Sequence, residues 1–198
     1  MMPIKPDDVF VLKSRTMIAP NLPEQETERL SFLHDLQLLD SNADEGFDRL
    51  TELATQIFDV PMSLITLIDE DRQWFKSRQG LSVCETPRRI SFCGHVVADG
   101  QPMVINNALR DPRFSDNPLV TGAPFIRFYA GYPLFVAPDI CVGTLCLIGT
   151  LPRTFEETDM RRMKLLAAQA EELIHLHVLR VRANLARVPV SGASGGGV

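Results

Sequence analysis

The residues best suited to chemistry cluster in Ser91-Phe92-Cys93-Gly94-His95. Ser91 is of a type that caps helix N-termini, which sets Cys93 in a first helical turn. Unpaired N–H groups and the helix dipole favour a thiolate there and lower its pKa. Cys93 therefore reads either as a redox-sensing or ligand-facing thiol or as a small packed residue, since free cysteine is among the most buried side chains. His95 has two readings of its own: a hydrogen bond to a bound ligand, or one to a backbone carbonyl.

Other side chains extend the candidate site. Arg127 carries a fork suited to a carboxylate or phosphate, or it pairs with Asp69, Asp71 or Asp111. Arg113 and Asn117 lie on a long irregular stretch, residues 106–126, of the kind that forms functional lids. Trp74, the only tryptophan, and Tyr129 offer aromatic area with a polar handle for a pocket wall. Phe75 and Phe128 are better suited to core packing. No metal site is expected. Cys93/His95 and Cys141/Cys146 lack structural zinc spacing, and the odd separation of Cys141 and Cys146 sends them to opposite faces of a strand.

The elements that must hold these residues follow from periodicity. Leu33, Leu36 and Leu39 recur on one face of a helix expected over residues 23–40, and Phe47, Leu50, Ala54, Ile57 and Phe58 on one over 44–59. Val60-Pro61 ends the second. Residues 62–69 are short, β-branched and apolar, as in a sheet centre, and 72–78 return as the hairpin partner. A short helix over 92–98 stops at Asp99-Gly100, and strands are expected over 103–105, 128–135 and 141–148. One long helix runs from Phe155 to about Val188 without internal glycine or proline. Its heptad stripe, Met160, Met163, Ala167, Ala170, Ile174, His177, Val181 and Asn184, predicts a parallel two-fold dimer, with packing on the chain's own N-terminal helix as the alternative. The sum is an α+β fold with antiparallel hairpins.

The chain has 198 residues, 45% of them apolar, and a net charge of 20 − 25 = −5. That length buries roughly two thirds of the unfolded surface without disulfides or metal. The acidic balance, with no basic block, argues against nucleic-acid binding and against a polybasic membrane anchor. No apolar run approaches the roughly 18 residues of a membrane span, and the acidic, proline-bearing start is not a signal peptide. A cytosolic protein with reduced cysteines is expected. Residues 1–22 read as a leader with little structure of its own, and 183–198 as the helix end followed by a disordered Gly/Ser tail.

Several strings together resemble a known family. Arg72-Gln73-Trp74-Phe75-Lys76, Thr86-Pro87-Arg88, Ser91-Phe92-Cys93-Gly94-His95, Asn117-Pro118-Leu119-Val120, the run 126–134 and Gly143-Thr144-Leu145-Cys146 occur in the order seen in GAF domains. The branch is the bacterial sensory one that precedes histidine kinases and diguanylate cyclases. The resemblance covers residues 23–182, and it implies a central antiparallel sheet with terminal helices on one face and a small-ligand pocket on the other. It implies no single ligand or cofactor. The resulting expectation is a non-enzymatic sensor that binds a small molecule through Trp74, Cys93, His95, Arg113, Asn117, Arg127 and Tyr129. It would dimerise through its long helix and signal to a separate output protein, since none follows in this chain. The alternative is a thiol enzyme or redox sensor, similar to free methionine sulfoxide reductases, with Cys93 and Cys84 as the reacting pair. A covalent bilin is not expected, because Gly94 separates Cys93 from His95. Gly149 stands where related sequences often carry an acid.

Overall fold

The computed structural model describes residues 17–186. The strand-like Val9–Leu12 segment and the Gly/Ser tail lie outside the described residues. Six antiparallel strands form one sheet in the order β3-β2-β1-β6-β5-β4. They are β1 (Met62–Ile68), β2 (Arg72–Gln79), β3 (Glu85–Pro87), β4 (Met103–Ile105), β5 (Phe128–Ala137) and β6 (Ile140–Gly149). One face carries α1 (Glu26–Asp35), α2 (Glu45–Phe58) and α5 (Glu157–Ala186). The other carries α3 (Phe92–Asp99), the short α4 (Pro118–Thr121) and the segment around them. The α+β class expected from the sequence is the fold observed.

Local chemistry explains most boundaries. Asp44 caps α2 by accepting from the Gly46 N–H at 2.8 Å. Ser91 caps α3 by accepting from Gly94 N–H at 3.0 Å, and Gly100 closes that helix at φ 61°, a left-handed conformation that glycine adopts freely. The first helix is shorter than its leucine spacing suggests. Gln37 and Asp40 take φ of 53° and 57°, so the chain turns back and Leu38 enters the core from outside the helix.

Each face of the sheet has its own apolar core. On the helical face, Leu33, Phe47, Phe58, Ile65, Leu67, Phe128 and Leu145 pack with Met163, Ala167, Ala170 and Ile174 of α5. This overturns the expected dimer seam. Met163, Ala167, Ala170 and Ile174 are buried against their own sheet and α2, because a helix over a sheet needs that stripe for itself. Met160 and Val181 are half-buried at its ends, and His177 hydrogen-bonds Gln37 O at 3.3 Å. Packing in the chain's own core accounts for the heptad-like spacing from Met163 to Ile174. Asn184 is exposed.

The odd-spacing argument about Cys141 and Cys146 also fails. The β5–β6 register shifts between Leu134 and Phe135, which pair with Gly143 and Cys141 and leave Val142 as an inserted residue. The bulge resets the alternation, and both cysteines face α3. Gly143 is required beside it, because a Cβ there would lie 1.9 Å from Thr66 O. Among the described residues no helix is long and apolar enough to cross a membrane.

Candidate functional site

The α3 face holds the residues singled out around Cys93. Ser91 starts the helix, so Cys93 falls in its first turn and points at the sheet, buried to 2% exposure. Tyr129 on β5 donates from Oη to Cys93 Sγ at 3.3 Å. Tyr129 Oη lies over Gly131, the β5 partner of Cys146, so Cys146 on β6 borders the same spot, and beside it the hydroxyls of Thr66 on β1 and Thr144 on β6 hydrogen-bond to each other at 3.0 Å. Burial alone would raise the Cys93 pKa, but these donors outweigh it and bring it below the ordinary thiol value. Cys146, equally buried and facing Cys93, is pushed well above that value. Once one thiol ionises, the second is held protonated beside it.

Around this polar group the face is filled by the chain's own rings. Phe92 and Phe114 stack with centroids 4.0 Å apart, and Phe92 packs on Tyr129 at 5.1 Å. Residues 106–126 are therefore not an open lid over a hollow. Phe114 and Val120 are fully buried, and α4 is anchored by Asn117. The Asn117 side chain caps α4 at Leu119 N–H and donates to Ile90 O, each at 2.9 Å.

The remaining expected site residues are dispersed. His95 Nε2 lies 3.0 Å from the carbonyl of Ile18, which is the backbone-carbonyl reading of that residue. Desolvation lowers its pKa, and nearby Arg113 adds to the effect. Arg113 pairs with Asp111 at 2.8 Å and lies over Phe114. Arg127 donates to Val120 O at 2.8 Å and Ile126 O at 3.0 Å, so it ties the ends of the 118–126 turn and forms no ion pair with Asp69, Asp71 or Asp111. Trp74 lies on the opposite face, in the helical core. Cys84 is exposed on the edge loop beyond β2. It is Cys146, not Cys84, that meets Cys93.

Sequence reasoning missed two features. The first is a cleft of about 670 Å³ beside β2, lined by Asp40, Trp74, Lys76, Arg78 and Cys84 among others. A bulge opposite Ile65 and Thr66 turns both Lys76 and Ser77 toward the helical face. Lys76 Nζ donates to Ser41 Oγ at 2.9 Å and Asn42 O at 2.7 Å, and burial lowers its pKa. The second is a knot of charges. Glu26 binds Arg29 and Arg88 together, and Arg72 binds Asp40, Asp69 and Glu85. Glu26 was visible at the start of α1 and Arg29 lies one turn on, but Arg88, its other buried partner, is 62 residues away in sequence.

Comparison with known proteins fits this geometry. The family model described as GAF domain matches residues 42–174. Over 160 residues, 80% of this chain, the sequence is 40% identical to cyclic di-GMP phosphodiesterase PA2567 of Pseudomonas aeruginosa. The matched region spans 27% of that relative's length. The GAF domain of an Acinetobacter phosphoenolpyruvate-protein phosphotransferase superposes with TM-score 0.56 at 20% identity, covering 79% of this chain and 98% of that one. Free methionine-R-sulfoxide reductase of Neisseria meningitidis gives 0.57 at 19%, covering 83% and 99%. A domain of a putative two-component sensor histidine kinase of Sinorhizobium meliloti gives 0.54 at 19%, covering 75% and 100%. At these identities the structural matches speak to the fold alone.

Proposed function

The chain belongs to the GAF domain family, and from that premise we propose that it is a cytosolic sensory unit governing an output that handles cyclic di-GMP. The observation that carries this reading is the 40% identity over 160 residues to part of a cyclic di-GMP phosphodiesterase. The remainder of that relative is far longer than the matched part, which is the relation expected of a regulatory segment beside an output.

In this reading the small ligand enters the β2 cleft and not the filled α3 face. The cleft has the size of a small-molecule site, lined among others by the aromatic residues Trp74 and Phe75 and the cations Lys76 and Arg78. Its floor is the strand against which α2 packs, so occupation bears on the helical layer. The homodimer expected from the long helix is retained on a different face. Leu165 is 69% exposed and Leu179 60%, and Leu176 lies between them. With Leu53 and Ile57 of α2 also exposed, the outer side of the helical layer is more apolar than a solvent face needs. Ligand-dependent pairing of these helices would be the output, provided the ligand binds the two arrangements with different affinity.

Native mass spectrometry tests the proposal. The expected spectrum is a dimer carrying a retained small molecule, and a Leu165→Glu/Leu179→Glu chain of unchanged helical content runs as a monomer. A wild-type chain that is monomeric at all concentrations, with no ligand-induced change in Trp74 fluorescence, would overturn it.

A further inference from the structure

We infer that Cys93 and Cys146 are a redox-active thiol pair, converted by small hydroperoxides into a disulfide that staples α3 to β6. The inference is independent of the ligand reading above and rests on what surrounds the two sulfurs. Cys93 and Cys146 lie in one buried cluster, bridged by Tyr129, whose hydroxyl donates to Cys93 Sγ and sits over Gly131, the β5 partner of Cys146. With the Thr66–Thr144 hydroxyl pair they make a polar islet inside an otherwise apolar core. Burying such a group costs free energy that a leucine or valine would not, so packing alone gives no reason for it.

The islet also sorts the two thiols. Cys93 stands in the first turn of a capped helix and receives the Tyr129 Oη–H. It is the thiol that ionises first, while Cys146 keeps its proton. A nucleophile and a resolving thiol require that division. Cys84 and Cys141 do not share it. Cys84 is exposed and lies outside the islet. Cys141 faces the same core, but burial pushes its pKa up to about 11.

The chemistry balances with a hydroperoxide as the only added reactant. The Cys93 thiolate attacks one peroxide oxygen, the O–O bond breaks, and Cys93 becomes a sulfenic acid. The departing alkoxide takes up the proton that Cys93 released, giving an alcohol. Cys146 then attacks the sulfenic sulfur. The S–S bond forms, the S–O bond breaks, and hydroxide leaves with the Cys146 proton as water. Two thiols lose two electrons, and the peroxide gains them.

Access has a structural route. Residues 18–20 form a strap across the N-terminal turn of α3. Ile18 N–H donates to Arg113 O at 3.1 Å, its carbonyl meets His95 Nε2 at 3.0 Å, and Pro20 packs so closely on Gly94 that a Cβ there would lie 2.7 Å from its Cγ. The strap has no regular secondary structure, so it can lift without unfolding the sheet.

The test treats the reduced full chain with hydrogen peroxide, blocks free thiols after denaturation, and maps the peptides without reductant. The expected product joins the Cys93 and Cys146 peptides with the loss of two hydrogens, and dithiothreitol reverses it. Cys84→Ser leaves that product unchanged. Cys146→Ser abolishes it and lets dimedone trap Cys93 as the sulfenic acid. His95→Ala, which frees the strap, speeds the reaction. The inference is overturned if Cys93 is recovered as a free thiol after Cys84 has oxidised, if it pairs with Cys84, or if the link forms only in denatured protein. The wild-type map decides the matter even if a variant fails to fold.

Discussion

Replacing Glu26 with glutamine removes one negative charge from between two buried guanidinium groups. Arg29 donates to Glu26 from Nε at 2.7 Å and from Nη2 at 2.8 Å, and its Nη1 reaches Ile68 O at 2.7 Å. Arg88 donates to the same carboxylate from the turn that leads into α3. Arg29 is 2% exposed and Arg88 5%, so neither can exchange Glu26 for water. Removing one partner of a buried ion pair costs about 3–5 kcal/mol. The Glu26 side chain is 15% exposed and glutamine keeps one acceptor, so the expected loss is about 2–4 kcal/mol, or a melting temperature lower by roughly 5–15 °C. The control is Glu45→Gln, which breaks an exposed pair with Arg49 and should cost about 0.5 kcal/mol or less. The pH dependence has a definite sign. Burial alone would raise the Glu26 pKa, but hydrogen bonds and charge from Arg29 and Arg88 hold it below the ordinary value. Its stabilisation is therefore complete above the unfolded pKa of about 4.5 and is lost as pH falls through the folded value. Urea unfolding followed by Trp74 fluorescence, at fixed protein concentration, gives the comparison. A loss under about 1 kcal/mol at neutral pH, or an undiminished difference at about pH 3, would refute the reasoning.

Phe114→Ala removes the ring stacked on Phe92 and should cost about 3–5 kcal/mol. It also leaves an apolar cavity on the α3 face, so benzene should partly restore the melting temperature, and a loss under about 1 kcal/mol would show the 106–126 segment to be loosely packed. Asn117→Ala deletes both the α4 cap and the bond to Ile90 O, and denaturation should report a loss of about 1–3 kcal/mol.

Periodicity and caps exposed most of the fold. The heptad spacing of α5, the largely apolar run of β1 and the Ser91 and Gly100 signals each correspond to a physical cause that acts within a few residues. What stayed hidden depends on register. A bulge at Val142 put Cys141 and Cys146 on one face against the odd-spacing rule, and a bulge opposite Ile65 and Thr66 did the same for Lys76 and Ser77. β3, Glu85-Thr86-Pro87, was missed because it holds no apolar strand-forming residue, whereas β4, equally short, is apolar throughout and was legible. The site residues divided for a similar reason. Trp74 and Phe75 are adjacent, so they must face opposite sides of β2, and only one of them can look toward Cys93. The Met163–Ile174 stripe was legible as apolar. Whether its own sheet or a second copy covers it depends on tertiary docking, which spacing does not encode.

A change at Cys93 reaches α5 only through the sheet, and β5 is the strand that joins the two. Tyr129 presents its hydroxyl to Cys93, while Phe128, Ala130 and Leu134 of the same strand pack in the helical core. Beyond them the register breaks, and the N–H of Phe135 is taken by Glu171 Oε1 of α5 at 2.8 Å. That bond fixes the helix to the strand by direction as well as by apolar contact. Glu171→Ala strands the N–H at a cost of about 1–3 kcal/mol, whereas Glu171→Gln retains an acceptor and should cost under about 1 kcal/mol. Hydrogen exchange separates a coupling role from a merely stabilising one. Peroxide treatment should alter α5 exchange in the wild type and in Glu171→Gln but not in Glu171→Ala. If α5 responds equally in all three, the path through Phe135 carries nothing, and the helix senses the α3 face through packing alone.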